Sequence, residues 1–414
     1  MSAVPSDPTA ASRRPRIVAL SEAPIPSAVL GVHAVLDALA ASGACELRTG
    51  STVTPSADLI AWCDAVVLVR GASPSEKRIL VETQRLGRKV ATYLDDDLER
   101  VPGDARSGYF FTSPNVRANV ASIVREADAV LVCSERLGGE LASRHGVAPV
   151  LLRQPRPPRL PGESAEPPPE PGRGDGERAD APPGGDDHVR VGFLGSVDHA
   201  AFLDTLLAAP LRELKDELGT RLELVFCGAV PEVAHALGAT CEPFQAEFAT
   251  WRRRARSLGL DVGLAPLPDT PFHRNKYFNK YLEYGSLGVA GIYSDVPPNA
   301  DAVRDGDTGL LCANEPSAWL AALRRLTGDR DLRARIANAA WLDVEARFSS
   351  AALLPAWTAA LAPLLGHRAT PASPAEVRLP GGPLRHALDR LAVYGPLRFA
   401  ERVAGRLSGR LGPG

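Results

Sequence analysis

Lys276, Lys280 and Glu283 stand at i, i+4 and i+7 in the stretch FHRNKYFNKYLEY (272–284). The chain has five lysines among 47 basic residues, at 77, 89, 215, 276 and 280, so two of them four residues apart stand out. On a helix that spacing places all three side chains on one face. A helix opening near Asn275, after the strand-like run LDVGLAPL, puts Lys276 in its first turn. The free backbone N–H groups there already attract anions. Two ammonium groups added to such a helix start suit a diphosphate, and a carboxylate further along the face can accept hydrogen bonds from a ribose diol. The same spacing also describes an exposed amphipathic face on which Glu283 pairs with a lysine.

Other residues could share that chemistry. In VGFLGSVDHAAFLDTLL (191–207), Gly195 and Ser196 let the backbone approach a phosphate, and His199 falls near a helix start, where histidines also serve structure. In YLDDDLERVP (93–102), Asp95, Asp96 and Asp97 follow a strand. Three such carboxylates can form a solvated turn, a helix cap or a metal site. Of these readings, a structural role is favoured over a metal. His33 lies on a helix of apolar spacing and reads as packed. The six cysteines show no C-x-x-C pairing, which points away from zinc and from a disulfide framework. They read as small core residues in a reducing cytosol.

The elements that would hold these residues alternate in type. PRIVAL, DAVVLVR, KVATYLDDD, DAVLVCS and PVLLR read as strands separated by helical stretches, with apolar runs typical of strands covered on both faces. The pattern breaks at residues 153–188, rich in Pro, Gly and charge, and then restarts with HVRVGFLG, RLELVFCG, LDVGLAPL and VAGIYSD. The expectation is an α/β protein of two doubly wound Rossmann-like domains. These are a first domain over 14–152, a disordered linker over 153–188 and a second domain over 189–348. A terminal helix over 349–366 and a basic tail over 367–414 follow. Residues 1–13 read as disordered. In the tail, Phe399, Val403 and Leu407 recur beside Arg398, Arg402, Arg406 and Arg410, a pattern suited to an anionic membrane surface or to packing back on the protein. The net charge of −2 argues against nucleic acid as a partner. The beginning of the chain lacks the apolar stretch of a signal peptide, and no apolar run is long enough to span a bilayer. The protein is expected in the cytoplasm, with peripheral membrane contact through the tail.

The stretch around Lys276 resembles the F-N-x-x-K-S-x-x-K-x-L-E-Y…G-x-P-x-x-x-S-D signature of a branch of family 4 glycosyltransferases. Phe272, Lys276, Lys280, Leu282, Glu283, Tyr284, Gly288, Ser294 and Asp295 match it. His273, Tyr277 and Ala290 stand where Asn, Ser and Pro are usual, and Asn275 stands where relatives carry a second glutamate. DGDTGLL (305–311), the segment at Gly195–His199, the acid turn and ADAVLVCSERLGGEL (127–141) resemble further segments of that family. The resemblance implies the GT-B fold, two Rossmann-like domains facing each other across a cleft. It implies transfer of a hexose-type sugar from a nucleoside-diphosphate sugar to a hydroxyl acceptor, in the making of a glycan or cell-surface polysaccharide, with retention at the anomeric carbon. Donor-binding residues would be Gly195, Ser196, His199, Lys276, Lys280 and Glu283, with Lys276 and Asp96 catalytic and Asp95–Asp97 on the acceptor side. No metal and no cofactor is called for, since cations and backbone amides can stabilise the leaving diphosphate. A sugar-nucleotide epimerase of the same fold, or a non-catalytic binding protein, would use the same pocket.

Overall fold

The computed structural model describes residues 13–23, 25–103, 108–164, 166, 188–245, 247–379, 387–389 and 391. It divides into two compact units, one formed by residues 1–154 and 354–414, the other by 155–353. The expected disorder of residues 1–13 and 167–187, and the tail face built on Phe399, Val403 and Leu407, fall almost wholly outside the described residues.

The first unit holds six parallel strands: β1 (Arg16–Ser21), β2 (Glu46–Ser51), β3 (Ala65–Val69), β4 (Lys89–Leu94), β5 (Ala129–Val132) and β6 (Val150–Leu151). Their order is β2-β1-β3-β4-β5-β6. Every residue of β3 is buried, as its unbroken apolar run requires of a strand covered on both faces. β2 has no such run. It is a polar edge strand paired only to β1, and hydrophobic patterning does not reveal it. Order reverses between β1 and β3, the point of an open α/β sheet where ligands bind beyond the carboxyl ends of the strands.

The second unit repeats the architecture with β7 (Val189–Gly195), β8 (Leu222–Gly228), β9 (Thr240–Glu242), β10 (Val262–Ala265), β11 (Ala290–Ser294) and β12 (Leu310–Cys312). The order β12-β11-β10-β7-β8-β9 is the dinucleotide-fold order, with its reversal between β7 and β10. Its core packs Val191, Phe193, Leu207, Phe226, Leu264, Ile292, Trp319 and Leu323 between the sheet and the helices Ala200–Leu218 and Pro316–Gly328. Five of the six cysteines are buried and all six are free thiols. No helix among the described residues is long and apolar enough to cross a membrane.

The start of the stretch expected as linker is not loose. The Arg156 N–H donates to the Phe348 carbonyl at 2.8 Å, and Arg156 and Arg159 both meet the Glu345 carboxylate, at 2.5 and 2.8 Å. Glu163 pairs at 3.0 Å with Arg252, a side chain 1% exposed that also donates to Ser286 Oγ at 2.8 Å. Composition hides this, because the contacts are ionic and need no apolar residue. Glu163→Ala is expected to lower stability by about 1–2 kcal/mol, because it removes a charge-assisted hydrogen bond from a buried guanidinium. Deleting residues 167–187, which carry little to bury, is expected to leave the melting temperature unchanged. Thermal unfolding of the two variants side by side checks both, and a large loss for the deletion would contradict the reading of this stretch as a spacer.

Candidate functional site

The second unit's reversal point is bordered by Gly195, the last residue of β7, and by the chain that follows β10. A short helix, Pro271–Arg274, comes first, capped by Thr270, whose hydroxyl accepts from the His273 N–H. The chain then leaves helical geometry and restarts as the helix Asn279–Leu287, with Phe278 at its N-cap. This corrects the single helix expected from Asn275. Lys276 lies in the turn between the two helices, and Lys280 occupies the first turn of the second. The cause is local. Thr-Pro is a strong helix start and opens a helix four residues early, and Tyr277 and Phe278 stack at 4.1 Å across the break.

The Asn279–Leu287 helix is locked from below. Tyr281 donates to Asp343 at 2.6 Å, and Tyr284 donates to the Leu264 carbonyl at 2.7 Å while receiving the Leu194 N–H at 3.5 Å. Both rings are fully buried. Burial first, and then the neighbouring Asp343 and Glu283 charges, push the two phenols above their ordinary range, so they act as neutral donors. Ser294 holds the loop after β10. Its hydroxyl accepts from the Leu267 N–H at 2.8 Å and donates to Asn314, whose amide returns to the Leu267 carbonyl at 2.9 Å.

On this frame three sequence-selected residues gather around one ring, and a fourth, Glu283, pairs with one of them. Lys280 Nζ lies 5.6 Å from the centre of Phe193 and 2.6 Å from Glu283 Oε2. The His199 ring stands 5.3 Å from Phe193, in the turn Val197–His199. A Cβ on Gly195 would meet Phe193 ring atoms at 2.6 Å and Lys280 Cε at 3.4 Å. Ser196 follows Gly195 in extended geometry. Phe193 itself, on an apolar strand, reads in sequence as core, and nothing in its spacing marks it as the floor of this cluster. Lys276 has its ammonium 4.5 Å from the Phe272 ring and shares no helix with Lys280 or Glu283.

Chemically, the cluster offers a cation, a carboxylate and an uncapped helix start beside a glycine-ended strand. Phe278 supplies no side-chain cap to the N–H groups of the first turn. The ion pair engages Oε2 of Glu283, leaving Oε1 able to accept from hydroxyls. Gly195→Ala is expected to weaken anion binding about tenfold, ~1.4 kcal/mol, because displacing Phe193 moves Lys280. Titration of nucleoside diphosphate against this variant checks it, and unchanged affinity would remove the strand end from the site.

The acid turn after β4, in the first unit, divides. Asp97 is 1% exposed and takes Arg144 in two parallel bonds of 2.9 and 2.7 Å. It anchors the Glu135–His145 helix, in line with the structural reading of this turn. Asp95 and Asp96 meet Arg70 at 3.5 and 3.3 Å. His33 ends a π-helical turn, Val29–His33, and burial lowers its pKa against the opposing charge of Asp37.

No protein-family model matches the chain, and no curated protein matches it. Solved structures do. A glycosyltransferase from Rickettsia africae ESF-5 aligns over 84% of this chain and 99% of its own, at 12% identity and a TM-score of 0.55. Sucrose-phosphate synthase from Thermosynechococcus elongatus aligns over 85% and 100%, at 14% identity and a TM-score of 0.57. Anabaena HepE in complex with UDP and glucose aligns over 84% and 99%, at 13% identity and a TM-score of 0.53. At these identities the likeness is one of fold: the chain has two Rossmann-like α/β units of the GT-B class.

Proposed function

We propose that the protein is a glycosyltransferase that takes a nucleoside-diphosphate sugar in its second unit and passes the sugar to a hydroxyl acceptor. The observation that carries this is the meeting of Gly195 and Lys280, itself paired with Glu283, on Phe193 at the reversal point between β7 and β10. A diphosphate there would replace Glu283 as the partner of Lys280 and take the free N–H groups of the helix start. Glu283, released in part, would accept the ribose hydroxyls. As the glycosidic bond to the diphosphate breaks, negative charge builds on the leaving oxygen. Lys280 and the helix start oppose that charge, and they do so more strongly in the transition state than in the bound donor.

The hexose class of the sugar, retention at the anomeric carbon and a place in glycan or polysaccharide synthesis belong to the same reading. They rest on the resemblance of the 272–311 stretch to family 4 glycosyltransferases. The donor and catalytic roles of Lys276 rest there too, the donor contact of His199 and the acceptor side of Asp95–Asp97, with Asp96 catalytic, on the similar segments at 191–207 and 93–102, and contact of the basic tail with an anionic membrane on its own amphipathic pattern.

The test is a thermal-shift screen of nucleoside diphosphates and their sugars, since a ligand bound only by the native state raises its stability. UDP and UDP-glucose are the first probes, because HepE is solved with each. Stabilisation by a diphosphate, followed by its release from the sugar nucleotide when a hydroxyl acceptor is added, is the expected pair of results. If no nucleoside diphosphate or sugar nucleotide shifts the transition, the proposal falls. Isomerisation of the sugar nucleotide without acceptor would make the protein an epimerase instead.

A further inference from the structure

Phe278, Tyr281 and Gly285 follow one another at i, i+3 and i+7 and so share one face of the Asn279–Leu287 helix. At 3.6 residues per turn, Lys280 and Glu283 fall on the opposite face. The first face packs on the helix Arg330–Phe348. The Phe278 ring lies 5.3 Å from the Phe348 ring, edge to face. The Tyr281 hydroxyl donates to Asp343 Oδ2 at 2.6 Å. A Cβ on Gly285 would meet Val344 Cγ2 at 2.6 Å and the Ala340 carbonyl oxygen at 3.2 Å, so the glycine lets the two helices close. Of these three contacts, only the bond from Tyr281 to Asp343 has a direction.

Asp343 is buried and takes two further donors. Arg304 Nη1 reaches its Oδ1 at 2.6 Å, and Arg347 Nη1 reaches its Oδ2 at 3.0 Å. Burial opposes the charge on this carboxyl. The bonds from Arg304 and Tyr281 and the nearby charge of Arg347 outweigh burial and hold the group ionised. An ionised acceptor binds a hydroxyl more strongly than a neutral one, so the two guanidiniums tighten its grip on the phenol. The helix start has no comparable fixture of its own. Phe278 offers no oxygen to the first-turn N–H groups, where a serine or aspartate would cap them. Anchorage from behind fixes the helix and leaves those N–H groups for an anion.

We infer that Asp343 is a positioning residue for the donor site, setting through Tyr281 the roll of the Asn279–Leu287 helix and with it the direction of Lys280 and Glu283. The inference rests on the reading of those two residues as contacts of a nucleoside-diphosphate sugar. Small rolls matter here. A roll of ~10° carries a side-chain tip ~5–6 Å from the helix axis through about 1 Å. A displacement of that size costs a reaction about 10²-fold.

The experiment is NMR of the full chain carrying isotope-labelled lysine, set beside calorimetric titration with UDP. The chain has five lysines, and the Lys280 signal is the one missing from Lys280→Arg. The Lys280 ammonium lies over the Phe193 ring, so its signal carries a ring-current shift that reports its place. In folded Tyr281→Phe and Asp343→Ala that shift is expected to collapse, while the Lys77, Lys89 and Lys215 signals stay where they are. UDP affinity should fall about tenfold in each, a partial loss of charge-assisted contacts. The double variant should lose no more than either single one, because both break the same link. Asp343→Asn keeps an oxygen for the phenol and should retain part of both signals. A lowered melting temperature in Asp343→Ala with an unmoved Lys280 signal and wild-type UDP affinity makes the carboxylate merely structural and overturns the inference. Losses that add in the double variant overturn the route through Tyr281. If Asp343→Ala does not fold, Tyr281→Phe decides, since it removes one oxygen from a ring that stays buried, and an unmoved Lys280 signal there overturns the inference. Failure of wild type to bind UDP strikes the donor reading instead, and the Lys280 signal, read without nucleotide, still decides the role of Asp343.

Discussion

Lys280→Ala is expected to lower the rate of sugar transfer by about 10²–10³-fold, ~2.7–4 kcal/mol, the range for removing one electrostatic stabiliser of a developing anion. Donor binding should fall by less. In the ground state the diphosphate charge is spread over several oxygens, whereas in the transition state it gathers on the one that leaves. Lys280 is singled out by its position. It sits in the first turn of the Asn279–Leu287 helix, above Phe193 and against the end of β7, with its ammonium already 2.6 Å from Glu283. Spacing alone favours Lys276 for this role. The helix break moves Lys276 out of the first turn, so Lys276→Ala is expected to cost less than Lys280→Ala. Lys280→Arg should recover part of the rate, since a planar fork replaces a compact ammonium poorly in a site walled by an aromatic ring. Single-turnover rates with saturating donor, set beside calorimetric affinities for the diphosphate, separate the two effects. Equal losses in rate and affinity would make Lys280 a simple binding contact, and a larger effect at Lys276 would reverse the order argued from the helix break.

The sequence carries the alternation of strands and helices because parallel strands buried on both faces leave apolar runs such as AVVLV. It carries Lys280 and Glu283 because one helix face repeats at fixed spacing. It does not carry the break at 275–278, where a Thr-Pro cap upstream and an aromatic stack override a periodicity that looks continuous. Phe193 escapes because a ring that floors a site and a ring that fills a core look alike on a buried strand. Asp95, Asp96 and Asp97 look equivalent in sequence, but in the bend after β4 Asp97 meets Arg144 and its two neighbours meet Arg70.

Glu283→Ala is expected to weaken the nucleotide sugar by about 1.5–3 kcal/mol, the range for hydrogen bonds to a charged group. Two losses combine in that figure. The ribose hydroxyls lose their acceptor, and Lys280 loses the carboxylate that holds it over Phe193. Glu283→Gln separates them. An amide still accepts one hydroxyl proton through its oxygen but no longer attracts the ammonium, so its cost should lie between wild type and alanine. The double variant Lys280→Ala/Glu283→Ala extends the separation. If the ion pair positions both groups, the two single losses will not add, because each variant already forfeits part of what the other contributes. If the pair is only an exposed amphipathic contact, the losses will be small, at most about 1 kcal/mol, and independent. The side chains are 21% and 14% exposed, which argues against the exposed alternative. A nucleoside diphosphate lacking the ribose 2′-hydroxyl provides the closing control. It should bind wild type more weakly than its ribose counterpart and bind Glu283→Ala with little difference. Equal discrimination by both proteins would show that Glu283 does not read the ribose.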